Sequence, residues 1–244
     1  MCTFRYFVFI ALAFLMLIPC SNGQAADPQA VGTAPPYCHP CLFYGGDFDA
    51  ANPLSGSIGN MDTLEIQNQE TEVPFRIRSG QTWTVIALFS NNFATVPHLY
   101  PPQIEWSIRE GITAGRGGKL IASGTVAASL TPTGRSFEGE DEYTALGYLS
   151  PNTIVTLGPG IYWMTAVPVC NVDLVDTCQG ALFSISSVED VPPPNHVGYE
   201  PNDHSYIYWL DGRDYFAPLA GQGGLCTTGC DRFSAGLLGF STTN

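Results

Sequence analysis

Apolar and polar residues alternate with a period of two along much of this chain. Over residues 103–109, Ile104, Trp106 and Ile108 alternate with Gln103, Glu105, Ser107 and Arg109, the signature of a strand with one buried face. Over residues 72–89 the pattern predicts a hairpin. Val73, Phe75 and Ile77 alternate with Glu72, Arg76 and Arg78, Ser79-Gly80-Gln81 turns the chain, and Trp83, Val85, Ala87 and Phe89 line one face of the return strand. Ile86 and Leu88 fill its other face, which predicts cover on both sides near its end. Residues 153–187 follow a similar plan, with a strand, a Gly158-Pro159-Gly160 turn, a long strand, a loop closed by Cys178 and a third strand. Ile161, Trp163, Thr165, Val167 and Val169 share one face of the long strand, which ends at Cys170. Shorter extended stretches are LFYGGDF, KLIASGTVAAS, YTALGYL and the closing FSAGLLGF. The 3.6-residue period of a helix is absent from the 153–187 stretch around which the rest is organised. About ten to twelve strands separated by Gly, Pro and Asn turns predict an all-β domain. The expected architecture is two packed antiparallel sheets, a disulfide-bonded β-sandwich of jelly-roll type.

The ends change the picture. Arg5 precedes an apolar run over residues 7–18, and small or polar residues follow. This predicts a signal peptide over residues 1–25, cleaved after Gly23 or Ala25, and too short to span a bilayer. The Leu17-Ile18-Pro19-Cys20 run offers a lipoprotein alternative, periplasmic or on the outer surface. Residues 26–37 read as a Pro/Ala linker, and residues 38–244 as a single domain with an irregular Pro- and aromatic-rich insertion at about 188–232.

Charge narrows the partners. The 244 residues carry a formal charge of −13, Lys119 is the one lysine, and loss of Arg5 with the leader takes the charge to −14. So acidic a chain is a poor match for nucleic acid or an anionic membrane surface, and suits cations or neutral polymers such as glycans.

Two of the eight cysteines, Cys2 and Cys20, leave with the leader. An even set in an exported chain reads as disulfides. Cys170 with Cys178 is the expected local bridge across a loop between neighbouring strands. Cys38, Cys41, Cys226 and Cys230 form two further local bridges or are linked to each other; the same four could instead make a four-thiolate metal site, against which an oxidising compartment works. Cys38-x-x-Cys41 has the spacing of a redox motif, but a strand follows it where such a site needs a helix N-terminus.

Three patches could carry chemistry. Asp47, Asp49 and Asn52 in a Gly-rich loop could offer oxygens to Ca²⁺, or simply cap turns. The acidic loop at Glu138, Glu140, Asp141 and Glu142 reads as a solvated loop or a second cation site. The third patch is the most ligand-like: Glu200, Asn202 and Asp203 beside Tyr206, Tyr208 and Trp209, flat apolar rings with planar hydrogen-bonding groups at their edge, as a sugar needs. The alternative is a strand with both faces packed. No G-x-S-x-G or H-E-x-x-H motif occurs, and the four histidines lack ligand spacing. A glycan-cleaving carboxylate pair such as Glu105 with Glu142 or Glu200 is the remaining catalytic option.

At the Gly45-Gly46-Asp47-Phe48-Asp49 run, SGQTWTVIALFSNN, EWSIREG, TLGPGIYWMTAVPVC and the closing FSAGLLG, the chain resembles the secreted bacterial β-sandwich proteins that often carry a PEP-CTERM sorting tail. The resemblance covers most of residues 42–187 and the last strand, and implies export and fold; most members have no assigned function. The chain ends at Asn244 without the sorting tail, so release is expected over surface attachment. The expectation is therefore a secreted, non-catalytic extracellular structural or binding protein needing no cofactor, with an extracellular glycan or another surface protein as its partner. The alternative is a calcium-assisted carbohydrate-binding module, and after it a glycan-active hydrolase.

Overall fold

The computed structural model describes residues 41–47, 57–60, 69–93, 102–137, 139–169, 182–184, 205–209, 215–218 and 233–243. The predicted leader, the linker and most of the 188–232 insertion lie outside the described residues. Thirteen strands follow in chain order: β1 Cys41–Tyr44, β2 Ser57–Gly59, β3 Gln69–Ile77, β4 Gln81–Phe93, β5 Gln103–Glu110, β6 Lys119–Phe137 and β7 Glu140–Tyr148. After them come β8 Val155–Leu157, β9 Gly160–Pro168, β10 Leu182–Ser184, β11 Tyr206–Trp209, β12 Tyr215–Pro218 and β13 Ala235–Thr243. There is no helix among the described residues.

The all-β expectation holds, and the strands pair antiparallel. Where two separate sheets were expected, these strands form one sheet, nearly closed into a barrel. Its order is β1-β13-β4-β7-β6-β5-β9-β3-β11-β12, with β8 and β10 against β4, and β2 against β10. The corner is β6. Its residues 119–127 pair with β5 and its residues 128–137 with β7, so one strand serves both walls. Its Ser, Thr, Ala and Gly side chains leave room for the bend, and Pro132, which has no N–H to give, sits where the register with β7 slips.

Both predicted hairpins are something else. The turn at Arg78–Gly80 forms, with the Gln81 amide donating to the Arg78 carbonyl and Gly80 at φ 79°. Yet β3 pairs with β9 and β11, while β4 pairs with β13, β7, β8 and β10. The chain crosses from one wall to the other, and the facing side chains stack across the interior: the rings of Phe75 and Trp83 lie 5.9 Å apart at 6°. The second turn does the reverse, from β8 on β4 to β9 beside β3 and β5. Nor are β9 and β10 neighbours, since β10 pairs with β2 and β4. The expected bridge across adjacent strands therefore lacks its adjacent strands; Cys170 and Cys178 themselves lie outside the described residues.

One core fills the barrel. Val73, Phe75 and Ile77 from β3 and Ile104, Trp106 and Ile108 from β5 point into it, as their alternation predicts. From β4 the core takes Trp83, Val85 and then Leu88, whereas Ala87 and Phe89 pack with Tyr44 and Leu238 on the outer side. The reason is a bulge: Val85 faces Gly239 and Ala87 faces Leu238, so Ile86 is an extra residue and every later side chain changes face. On β9 the expected face of Ile161, Trp163 and Thr165 exists, but the core takes the other one, Tyr162, Met164 and Ala166. Gly239 lies against this bulge, where a Cβ would come 1.9 Å from the Thr84 carbonyl oxygen. Gly239→Ala is thus expected to cost about 2–3 kcal/mol, through displaced backbone, which urea denaturation would read as a lower midpoint at unchanged slope.

A small polar cluster bridges the walls where β3 and β9 part company. Asn60 accepts from the Thr71 amide and donates to the Ala166 carbonyl at 3.0 Å, and the Ser90 hydroxyl donates to the same carbonyl at 2.8 Å. Asn92 donates to Ser90 Oγ at 2.8 Å. All three side chains are buried, so each bond satisfies a group that water cannot reach.

Candidate functional site

Outside the barrel core, the wall formed by β5, β9 and β3 carries a second enclosure. Glu72, Trp163, Thr165, Ser107 and Arg109 occupy its outer face, because their neighbours Val73, Met164 and Ile108 take the inner one. Strands β11 and β12 extend the ladder beyond β3, with Tyr206 opposite Glu72 and Tyr208 opposite Glu70. They also roof the face: Tyr206 meets Trp163 edge-on at 6.2 Å, and Ile112 and Phe216 complete the cluster. The roof is pinned by the Gly115 amide donating to the Phe216 carbonyl at 2.8 Å and by the Arg109 guanidinium, 5.3 Å from the Phe216 ring centre.

At the centre lies the Glu72 carboxyl, fully buried. Arg109 Nε is 3.2 Å from Glu72 Oε1, but its N–H is not aimed at that oxygen, so the guanidinium lies beside the carboxyl without hydrogen-bonding to it from Nε. Neither carboxyl oxygen, nor Ser107 Oγ, nor Thr165 Oγ1 has a hydrogen-bond partner among the described residues. Burial first, and then the Glu70 carboxylate, push the Glu72 carboxyl up to about 8 against the opposing pull of Arg109 and Ser107. At neutral pH burial therefore favours the protonated form of this carboxyl. Such a group can donate a hydrogen bond or pass a proton, but its surroundings are closed by aromatic side chains.

A second charged cluster sits on the opposite wall. Arg135 of β6 reaches Asp47 Oδ1 at 2.9 Å and donates from Nε to Glu142 Oε2, to which Thr133 Oγ1 also donates at 2.6 Å. The Tyr44 hydroxyl donates to the other side of the arrangement, at Asp47. Burial pulls the Arg135 guanidinium down, but Glu142 and Asp47 outweigh it and hold the proton more tightly than usual. Burial, with Asp47 next, raises the Tyr44 hydroxyl well above its ordinary range. Deeper in, Thr144 donates to Asn91 at 2.6 Å and Asn91 to Ser234 at 2.7 Å, tying β7, β4 and the approach to β13.

Of the residues singled out in the sequence, Tyr206 is buried in the roof rather than offered to solvent, 8% exposed. Tyr208 and Trp209 lie in the same strand, opposite Phe216 and Tyr215 of β12. Glu200, Asn202 and Asp203 lie outside the described residues, as do Asp49, Asn52, Cys38, Cys226 and Cys230. Asp47 is paired with Arg135 at 2.9 Å. Among the described residues no three His, Cys, Asp or Glu side chains are grouped to hold a metal. Glu142 spends its carboxylate on Arg135 and Thr133. Glu105 lies on β5, opposite Thr125 and Val167. Sequence reasoning missed Glu72, which reads as the solvent side of an alternating strand; only the second cover provided by β11 and β12 buries it.

Compared with known protein families, curated proteins and solved structures, the chain matches none.

Proposed function

We propose that the protein is an exported, non-catalytic structural or binding protein, a disulfide-clipped barrel in which the curled sheet serves as two facing layers of jelly-roll type. The observation that carries this reading is that the buried ionisable groups are turned on one another. Arg135 sits between Asp47 and Glu142, and Arg109 faces Glu72 beneath a lid of aromatic rings. Groups arranged so hold a fold together, whereas a hydrolase needs two carboxyls open to one cleft. Export is supported by the leader-like N-terminus and by Cys41, which is disulfide-bonded. A carbohydrate-binding module is the second reading, favoured by the exposed rings of Tyr148 and Phe240; its calcium component loses support at Asp47, already paired with Arg135.

Intact-mass analysis of the chain expressed with its own leader in a secreting bacterial host tests the proposal. The expected product begins after Gly23 or Ala25 and takes up no alkylating reagent on its six remaining cysteines. A full-length product with reactive thiols overturns it.

A further inference from the structure

Four large apolar side chains among the described residues are exposed, and three of them gather on the outer face of the wall formed by β13, β4, β7 and β8: Phe240 at 59%, Tyr148 at 62% and Ile154 at 41%. The ladder puts the two rings on the same side. Phe240 stands opposite Thr84, which in turn stands opposite Thr156. Tyr148 stands opposite Ala87, which faces Leu238. Thr84 and Ala87 both point away from the core, because Trp83, Val85 and Leu88 take it. Ile154 precedes inward-facing Val155 and so shares the outer side with Thr156. The rings lie two strand spacings apart, about 9–10 Å sideways, with a row of threonine hydroxyls beside them. Thr82 and Thr242 extend that row.

We propose that this face is a binding platform for a neutral polysaccharide, with Tyr148 and Phe240 stacking on sugar rings and the threonines hydrogen-bonding hydroxyls at their edges. The inference rests on the binding half of the function proposed above and places the site away from Tyr206, Tyr208 and Trp209. Two observations choose the occupant. None of the residues that make the platform is charged, although the chain carries a formal charge of −13, so an uncharged ligand fits the face while a second copy brings repulsion. The exposed apolar area, roughly 300 Å² for two aromatic side chains and an isoleucine, falls short of the apolar share, roughly 450 Å², of the ~800 Å² per partner that a stable protein–protein contact covers. It suffices for a few sugar units, each with a flat apolar face and a polar edge.

The test is depletion of the mature protein by microcrystalline cellulose, chitin and insoluble xylan, with affinity electrophoresis in soluble β-glucan, for the wild type, Tyr148→Ala, Phe240→Ala, the double variant and Tyr208→Ala. Sedimentation velocity runs in parallel. The platform residues are exposed, so their variants are expected to keep the wild-type melting temperature. The expected result is retention of the wild type and of Tyr208→Ala on at least one polysaccharide, about tenfold weaker binding for each single platform variant, and none measurable for the double variant. Equal retention of the wild type and the double variant overturns the platform while leaving a binding protein. Absence of wild-type retention on every polymer overturns it too, as does a wild-type dimer that the double variant dissociates. None of these outcomes bears on leader cleavage or on the thiols, so the earlier proposal stands or falls separately.

Discussion

Glu72→Gln is expected to leave stability near pH 5 almost unchanged and to raise it by on the order of 4 kcal/mol at pH 8. The carboxyl is fully buried, and its proton is held up to about 8 in the folded chain against an ordinary value of 4.5. Between those two values the unfolded chain has lost the proton and the folded chain keeps it. The folded state therefore binds more protons, and stability falls as pH rises through that window. Below it both forms are protonated, and above it both are ionised, so the penalty levels off. Glutamine has the shape of the protonated acid and nothing to ionise, which removes the slope. For a domain of this size the gain corresponds to about 10 °C in melting temperature at pH 8. Thermal scans of both proteins at pH 5, 6, 7 and 8 read it directly. A difference between them that stays constant over that range would show that Glu72 is ionised in the folded protein throughout.

Arg135→Ala is expected to cost about 3–5 kcal/mol, the usual result of stranding buried charge by removing its partner. Glu142 is fully buried and Asp47 nearly so, and the same guanidinium serves both. The side chain also ties the end of the β6–β7 hairpin to the segment following β1, so its loss opens contacts between parts of the chain distant in sequence. Arg135→Lys should recover only part of the stability, because a single ammonium cannot reach two carboxylates in the fork geometry that guanidinium provides. Urea titration measures both; a loss below 1 kcal/mol for the alanine variant would mean that the two carboxylates find other partners.

The strand faces that line the barrel were legible where alternation was clean. Ile104, Trp106 and Ile108, like Val73, Phe75 and Ile77, occupy the core as their spacing predicts. What the pattern does not encode is which strand pairs with which. A Gly-containing turn between two alternating stretches serves a hairpin or a crossing between walls equally well, and both such turns here are crossings. The bulge at Ile86 was half visible, in that Leu88 broke the alternation begun at Trp83, but the pattern alone reads as cover on both sides. The Glu72 enclosure was invisible for a related reason. Glu72 alternates with core residues as any solvent-side position does, and its burial depends on strands about 135 residues further along the chain. Tyr206 was noticed for its ring, and the same ring proves to be part of the cover.

The position of β13 bears on how this chain reaches its final state. Residues 235–243 lie between β1 and β4 and supply the partner for the backbone of β4 from Gln81 to Ser90. Until residues 235–243 have emerged, this edge of β4 is unmet, and no earlier segment among the described residues closes it. Assembly of this wall is then slowed by the search for partners remote in sequence. A shortened product that stops before residue 235 would present a bare strand edge ready to join its neighbours.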